Sequence, residues 1–241
     1  MSVFAHLVER LAELLQPLFH ASAAAAAIVL FTALVRLLVH PLSRAAARGQ
    51  RARAALQPRI AELRRKHAKN PERLRKAVLE LHAEEKVSPL SGLLPGLLQL
   101  PAFFLLYRLF SSASVGGERN GLLAHELFGA PLGGRWADAL ADGGLFGPAG
   151  LVYLVLFVLV AAVATFTYRR ARRTAARTPV PAGAPAGGGE QLPGLGAVGK
   201  VMPFLSFLTL ATVAVVPLAA ALYVVTSTTW SALERAALYP S

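Results

Sequence analysis

Four long apolar tracts constrain what this chain can fold into. They extend over residues 19–42, 90–110, 149–168 and 198–233. A helix needs about 20 apolar residues to cross a hydrocarbon core of about 30 Å, so each of the first three tracts predicts one span. The last tract is too long for one span, and Pro217 divides it, since proline interrupts helical hydrogen bonding. The sequence therefore predicts five transmembrane helices.

The composition supports an all-α polytopic membrane protein, because 55% hydrophobic and 16% charged residues are atypical of a soluble domain. The expected segments are an interfacial amphipathic helix at 1–18, spans at 19–42, 89–110, 149–168, 198–215 and 216–235, connections at 43–88, 111–148 and 169–197, and a short tail at 236–241. The first segment carries leucines on one face, interrupted by Glu9, Arg10 and Glu13. This pattern favours a helix lying in the interface over a cleaved leader.

Charge is distributed unevenly between the connections. Residues 41–88 carry 13 Lys and Arg against 5 acids, and residues 169–200 carry 6 against 1. Residues 111–148 carry 2 against 4. Because basic connections stay on the cytoplasmic side of a membrane, we expect the N-terminus outside and the C-terminus in the cytoplasm.

The first basic connection is predicted to form an antiparallel pair of helices. Asn70 is a helix N-cap residue and Pro71 suits the first helical position, while Pro58 is expected to bend the first helix. Apolar residues recur on one face of each helix: Leu56, Ile60 and Leu63, then Leu74, Val78 and Leu81. Such narrow stripes predict marginal packing and a mobile element.

The cations of this hairpin suit three kinds of partner. Arg59, Arg64, Arg65 and Lys66 precede the turn at Asn70 and Pro71. Ribosomal RNA, anionic lipid and substrate carboxylates all attract such a surface, and charge alone does not choose among them.

The other connections show little patterning. Residues 169–197 begin with clustered arginines and continue with a Pro/Gly/Ala stretch, which predicts a disordered linker. The run GLGAVGK at 194–200 nearly matches two phosphate-binding fingerprints, but it lacks a preceding strand and a Ser or Thr after the lysine. The outer connection, 111–148, has three Gly-Gly pairs and is expected to be mostly irregular, with Trp136 as an interface anchor.

Enzymatic chemistry is not predicted. The chain has no cysteine, and its six histidines are scattered without metal-ligand spacing. The central parts of the predicted spans carry no Asp or Glu, which argues against a carboxylate proton relay. We expect no catalytic residue, no metal and no cofactor.

Arg36 lies inside the first predicted span, six residues before Leu42. An uncompensated arginine at mid-bilayer costs about 3 kcal/mol on insertion scales. One interpretation is snorkelling, because the remaining helix rises only about 9 Å and a long side chain can reach the headgroups. The other is a water-filled cavity open to the cytoplasm, with Arg36 as its fixed positive charge.

Polar residues in other predicted spans bear on that choice. Thr32 lies one turn before Arg36 on the same face, and Gln99 lies in the middle of the second span. The last span contains YVVTSTTW, which includes Tyr223, Thr226, Ser227, Thr228 and Thr229. Each of these groups either bonds locally or between helices, or else joins Arg36 in lining one polar groove.

Two blocks of the sequence resemble the YidC/Oxa/Alb family of membrane-protein insertases. The first is VRLLVHPLSRAAARGQRARAALQPRIAELRRKHAKNPERLRKAVLELHAEEKVSPLSGLLPGLLQLPAFFLLYRLF, which has an arginine in the first span, Pro-Leu, Leu-Gln-Pro and an Asn-Pro turn. The second comprises VMPFLSF and VPLAAALYVVTSTTWSALE. The resemblance extends over residues 19–110 and 149–235.

This resemblance implies a five-helix core around a hydrophilic groove that is open to cytoplasm and lipid and closed to the outside. It implies that Arg36 is the groove arginine, that Gln99 is its polar partner, and that residues 43–85 form the cytoplasmic hairpin that receives substrates. The implied activity is insertion and folding of new membrane proteins in a bacterial cell membrane. The implied partners are nascent membrane proteins and lipid, with the Sec translocon and the ribosome, and no small-molecule substrate.

Some features depart from the family pattern. Val224 follows Tyr223 where the family often has an aromatic residue, and Thr228 stands where an Asn is common. The sequence has no large extracytoplasmic domain, and it ends eleven residues after Trp230 without a long basic tail. The hairpin and the cluster RRARR are then the expected contacts with a ribosome.

Two other classes of protein fit parts of the pattern. A small transporter or channel would use Arg36 as an anion site and the hairpin as a gate. A membrane-anchored scaffold would use the basic connections to bind nucleic acid.

Overall fold

The computed structural model describes residues 2–87, 94–115, 117–177 and 206–238, and these are mostly helical. The helices are α1 Ser2–Phe19, α2 Ala23–Lys66, α3 Pro71–Glu84, α4 Leu94–Ser111, α5 Trp136–Gly143, α6 Pro148–Arg177, α7 Leu208–Val215 and α8 Leu218–Leu238. Four two-residue strands form two hairpins, β1 Ser114–Val115 with β2 Glu118–Arg119, and β3 Glu126–Leu127 with β4 Ala130–Pro131. Most of the linker predicted at 169–197, and the run at 194–200, lie outside the described residues.

Two stretches of the described chain are long and apolar enough to cross a membrane. They are Val3–Lys66 and Pro148–Arg173, with mean hydropathies of 2.2 and 2.6. A mostly helical chain with two candidate membrane helices is thus confirmed. The five-span arrangement stays a prediction.

The N-terminal helix α1 has two apolar faces. Ala5, Val8 and Ala12 are buried in the core, while Val3, Leu7, Leu14 and Leu18 form an exposed stripe. Spacings of three, four and seven residues keep each set on one side of the helix. A helix is thus present where one was predicted, and its position in the membrane interface stays a prediction.

The first predicted span continues into the hairpin without a break. Helix α2 has 44 residues and contains both Pro41 and Pro58. Each proline removes one backbone donor, but the residues on either side keep helical geometry. The boundary predicted between residues 42 and 43 therefore falls inside one helix.

The described residues form two compact units. The smaller unit, residues 38–87 and 94–102, contains a two-helix arm made of the C-terminal part of α2 and α3. Its interior consists of Leu56, Ile60 and Leu81, with Leu63, Val78 and Val87 packed around them. The apolar stripes predicted from the sequence do meet, and the resulting core is small.

The turn of the arm is the one predicted. Asn70 Oδ1 accepts a hydrogen bond from Arg73 N at 3.0 Å, and Pro71 is the first residue of α3. This contact satisfies one of the backbone donors that a helix N-terminus leaves without a partner. Both assignments are confirmed.

The larger unit, residues 2–37, 103–177 and 206–238, contains the main core. Helices α6, α7 and α8 pack against one another, and α1 covers the start of α2. Buried alanines line the contacts of two helices: Ala24, Ala25 and Ala27 in α2, and Ala219, Ala220 and Ala221 in α8. Small side chains let helix backbones approach closely, which is how spans associate without a hydrophobic driving force.

The outer connection at 111–148 is folded. Asn120 Nδ2 donates to Leu109 O at 2.8 Å and to Ser112 O at 3.0 Å, and the side chains of Leu122 and Leu132 are buried. The prediction of a mostly irregular segment was incomplete, because its glycines close tight hairpins rather than leave the chain loose.

This connection also caps a helix. Leu218 N donates to Gly134 O and Ala219 N donates to Leu132 O, both at 2.9 Å. Tyr153 Oη donates to Gly134 O at 2.7 Å. The first backbone donors of α8 are thereby satisfied by the outer connection instead of by water.

Trp136 takes part in this packing. Its ring lies 5.7 Å from that of Tyr153 and 5.2 Å from that of Phe157. It is half-buried and packs against the core. Trp136 therefore helps to hold the outer connection on α6, and its role as an interface anchor stays a prediction.

Replacing Asn70 tests the turn. We expect Asn70→Ala to destabilise α3 by about 1 kcal/mol, because it removes the N-cap acceptor. That loss raises hydrogen exchange of the α3 amides about fivefold. Asn70→Asp keeps an acceptor and serves as the control. Equal exchange in the wild type and Asn70→Ala would show that the cap does not hold this helix.

Candidate functional site

The candidate site lies where α2 and α8 meet in the larger unit. Arg36 on α2 donates a hydrogen bond from Nη2 to Ser227 Oγ on α8. Ser227 is 2% exposed, whereas Arg36 is half-buried. The guanidinium thus points towards a neighbouring helix.

The residues next to Arg36 show which side of α2 is outward. Leu34 is 50% exposed and Leu37 is 57% exposed, whereas Thr32, one turn before Arg36, is fully buried. Arg36 therefore lies on the inner face of the helix, with apolar side chains on the outer face.

Other charged and polar groups of α8 act on the guanidinium. Tyr223, Glu234 and Arg235 are close enough for electrostatic interaction with Arg36. Tyr223 lies one turn before Ser227 on the same face of α8. The guanidinium thus has the Ser227 hydroxyl as a direct partner on α8, while a phenol, a carboxylate and a second cation act on it electrostatically.

Tyr223 joins this polar cluster to an aromatic one. Its ring centroid lies 5.8 Å from the ring of Phe103 and 5.8 Å from that of Phe110, both on α4. A tyrosine suits this position because its ring packs in an apolar environment while its hydroxyl reaches a polar partner. The aromatic contacts fix the direction of the phenol.

The predicted threonines bond to their own helices. Thr32 Oγ1 donates to Ile28 O at 2.7 Å, Thr226 Oγ1 to Leu222 O at 2.8 Å, and Thr228 Oγ1 to Val224 O at 2.8 Å. Each hydroxyl proton is thus used locally, as is common for Thr in spanning helices. Their oxygens keep accepting capacity only.

Six of the polar candidates are predicted to line the groove: Arg36, Thr32, Gln99, Tyr223, Thr226 and Thr228. Helical spacing separates some of them. Thr228 is turned about 100° from Ser227 around α8, since a helix has 3.6 residues per turn. Arg36 and Tyr223 come together around Ser227. Gln99 belongs to α4, but its side chain lies outside the described residues.

Ser227 was considered with its neighbours in α8, but it was not one of the six residues chosen for the groove. The signal that identifies it is the spacing of Tyr223, Ser227, Trp230 and Glu234, which recur at intervals of four, three and four residues. This period places all four on one stripe of α8. The number of polar residues in YVVTSTTW does not separate Ser227 from the threonines beside it, because all of them are polar.

The predicted cations of the two-helix arm have different environments. Arg59 forms an exposed ion pair with Glu85. Arg64, Arg65 and Lys66 occupy the last turn of α2, where cations interact favourably with the helix dipole. Arg65 and Lys66 are exposed to solvent, so they are available to an anionic partner. Within the described residues, no group of three or more His, Asp or Glu is arranged to hold a metal ion.

Comparison with known proteins identifies the family. The family model described as "60Kd inner membrane protein" matches residues 15–240, which is nearly the whole chain. The chain belongs to this family. The resemblance found in the two sequence blocks is thereby confirmed.

Curated relatives carry the name "Membrane protein insertase YidC". The relative from Prosthecochloris aestuarii is 30% identical over 148 residues, which are 61% of this chain and 24% of the relative. The relative from Clostridium perfringens is 42% identical over 84 residues, which are 35% of each chain. The matched region thus spans about a quarter to a third of the length of these relatives.

A double-mutant cycle tests the contact between α2 and α8. Arg36→Met, Ser227→Ala and the double variant should show a coupling free energy of about 1.5–3 kcal/mol, because the hydrogen bond has a charged donor. The measurement is equilibrium unfolding in mixed micelles followed by circular dichroism.

Ser231→Ala provides the matched control for this cycle. The Ser231 hydroxyl donates to Ser227 O within α8 at 2.9 Å, so its loss should couple to Arg36→Met by less than about 0.5 kcal/mol. Equal coupling for Ser227 and Ser231 would mean that the guanidinium does not bind the Ser227 side chain in solution.

Proposed function

We propose that this protein is a membrane-protein insertase, which inserts and folds newly made membrane proteins. The proposal is supported by membership of the family and by the name that the relatives carry, membrane protein insertase. The contact of Arg36 with Ser227 carries the mechanism, because it holds a cation between two spans.

The proposed topology has five spans. The amphipathic α1 lies on the outer face and the two-helix arm lies in the cytoplasm. The membrane is crossed by the segments predicted from the sequence, 19–42, 89–110, 149–168, 198–215 and 216–235. The positive charge of residues 41–88 and 169–200 supports this orientation, since basic segments are retained on the cytoplasmic side. The N-terminus is then outside and the C-terminus inside.

The proposed site is a groove that opens to the cytoplasm and is lined by Arg36, Ser227 and Tyr223, with Thr32, Thr226, Thr228 and Gln99 nearby. An incoming polar segment faces a large barrier in lipid. Two opposite charges 4 Å apart attract by about 1 kcal/mol in water and about 4 kcal/mol in the partly dry interior of a protein. Arg36 thereby lowers the barrier for a segment that carries Asp or Glu.

Release of the client from the groove is driven by burial of its apolar span in lipid. The apolar span of the client leaves the groove sideways into lipid, where burial of about 20 apolar residues drives the step. The guanidinium of Arg36 binds the neutral hydroxyl of Ser227. It can therefore bind a client carboxylate in place of this hydroxyl and return to the hydroxyl when the client leaves. The protein provides a path without covalent chemistry or a cofactor.

The two-helix arm is proposed to receive clients. Its exposed cations Arg65 and Lys66 attract anionic lipid, client carboxylates or ribosomal RNA. A small core of three buried residues allows the arm to move. Action with or without the Sec translocon, and contact with translating ribosomes, belong to this proposal.

Substitution of Arg36 tests the proposed function in cells depleted of their own insertase. Arg36→Ala should reduce insertion of clients with acidic translocated segments at least about tenfold, since a loss of 1.4 kcal/mol corresponds to a factor of ten. Arg36→Lys should retain more activity, because it keeps the positive charge. Insertion is measured by protease protection of the translocated segment.

Arg48→Ala is the matched control. Arg48 lies on the same helix and is exposed, so its removal changes net charge equally without touching the groove. Full insertion by Arg36→Ala, or equal losses for Arg36→Ala and Arg48→Ala, would contradict the proposed role of the groove cation. Failure of the wild-type chain to rescue depleted cells would contradict the insertase function itself.

A further inference from the structure

The turn between β3 and β4 presents an aromatic side chain at an unusual backbone conformation. Phe128 has φ +49° and Gly129 has φ +81°. Two-residue turns of this kind usually contain Asn-Gly or Asp-Gly, because residues with a bulky side chain rarely adopt positive φ. Phe128 is 76% exposed, so packing within the described residues does not explain why phenylalanine stands here.

The position of this turn is fixed by two neighbours. A Cβ added to Gly129 would lie 3.4 Å from Cβ of Pro148, the first residue of α6. Strand β3 lies against the short turn His20–Ser22, which immediately precedes α2. Phe128 is therefore located beside the outer ends of two helices that are apolar enough to span a membrane.

A second exposed phenylalanine is located at the same boundary. Phe146 is 81% exposed and lies two residues before Pro148. The outward face of α6 continues from there with exposed Leu151, Val155 and Val158. Exposed apolar side chains are thus found both at Phe146 and along the outward face of α6.

The first hairpin of the same connection provides a contrast. Its strands are β1 and β2, its turn includes Gly117, and it carries the exposed charged side chain of Arg119. Both hairpins belong to one folded segment, but the first carries an exposed arginine in its second strand, whereas the second carries an exposed aromatic ring at its turn. Exposure of phenylalanine is therefore specific to the part of the segment that lies next to α6.

We propose that Phe128 and Phe146 insert together into the outer leaflet of the membrane and anchor the folded outer connection there. Lipid is the occupant because the two rings continue the apolar surface of a spanning helix, and a bilayer surrounds that helix at this depth. The anchor holds the connection that caps α8 through Gly134 and Leu132. This inference rests on the proposed topology, in which α6 spans the membrane and the connection lies outside, but it is independent of the insertase activity.

Single-cysteine labelling tests the inference, since the chain contains no cysteine. Phe128→Cys, Phe146→Cys and the polar control Arg119→Cys are labelled with an NBD fluorophore and placed in vesicles of phosphatidylcholine and phosphatidylglycerol. We expect quenching by lipids with a spin label at acyl carbon 5 to be at least threefold stronger at positions 128 and 146 than at 119, and quenching by aqueous iodide to show the reverse order. Equal quenching at the three positions would overturn the proposal.

A second measurement leaves the native phenylalanines in place. Phospholipids with a photoreactive diazirine in the upper acyl chain are incorporated with the wild-type protein, and adducts are mapped by mass spectrometry. We expect adducts at 126–131 and 145–148 as well as on the outward face of α6, with few at 117–120. Adducts on α6 without any at 126–131 would overturn the role of Phe128. The same result is expected if a protein partner, rather than lipid, covers this segment.

Discussion

The contact between Arg36 and Ser227 is the interaction on which the arrangement of the site depends. An arginine in the middle of a spanning helix costs about 3 kcal/mol on insertion scales. One hydrogen bond from a charged donor returns about 1.5–3 kcal/mol. The two terms nearly cancel, so Arg36 adds little to stability. We infer that the cation is retained for its action on other molecules.

Helix α8 changes character along its length, and this change gives the proposed groove a single open side. Residues 218–225 are all buried, and the first two donate hydrogen bonds to the outer connection. Ser227 lies about 13 Å along the helix from Leu218, at 1.5 Å per residue. In the proposed topology a dry, capped end faces outward, and the cation lies nearer the cytoplasmic end.

Features set by local chemistry could be predicted from the sequence, whereas those set by tertiary contacts could not. Asn70 and Pro71 specify a helix start through adjacent groups, and the division at Pro217 follows from a missing backbone donor. The folded outer connection depends on distant partners such as Leu218 and Tyr153, which no short pattern contains. Ser227 likewise became distinguishable from its neighbouring threonines only when the rotation of α8 was known.

The central claim, that a cation accessible from the cytoplasm lowers the insertion barrier, is tested most directly by chemical restoration of the charge. Arg36→Cys is assayed in inverted membrane vesicles that lack the host insertase, before and after methanethiosulfonate reagents are added to the cytoplasmic face. The account predicts that insertion is lost in Arg36→Cys and returns with the aminoethyl reagent, which restores a cation, but not with the methyl reagent. Equal recovery with the uncharged methyl reagent, or no reaction from the cytoplasmic face, would contradict it.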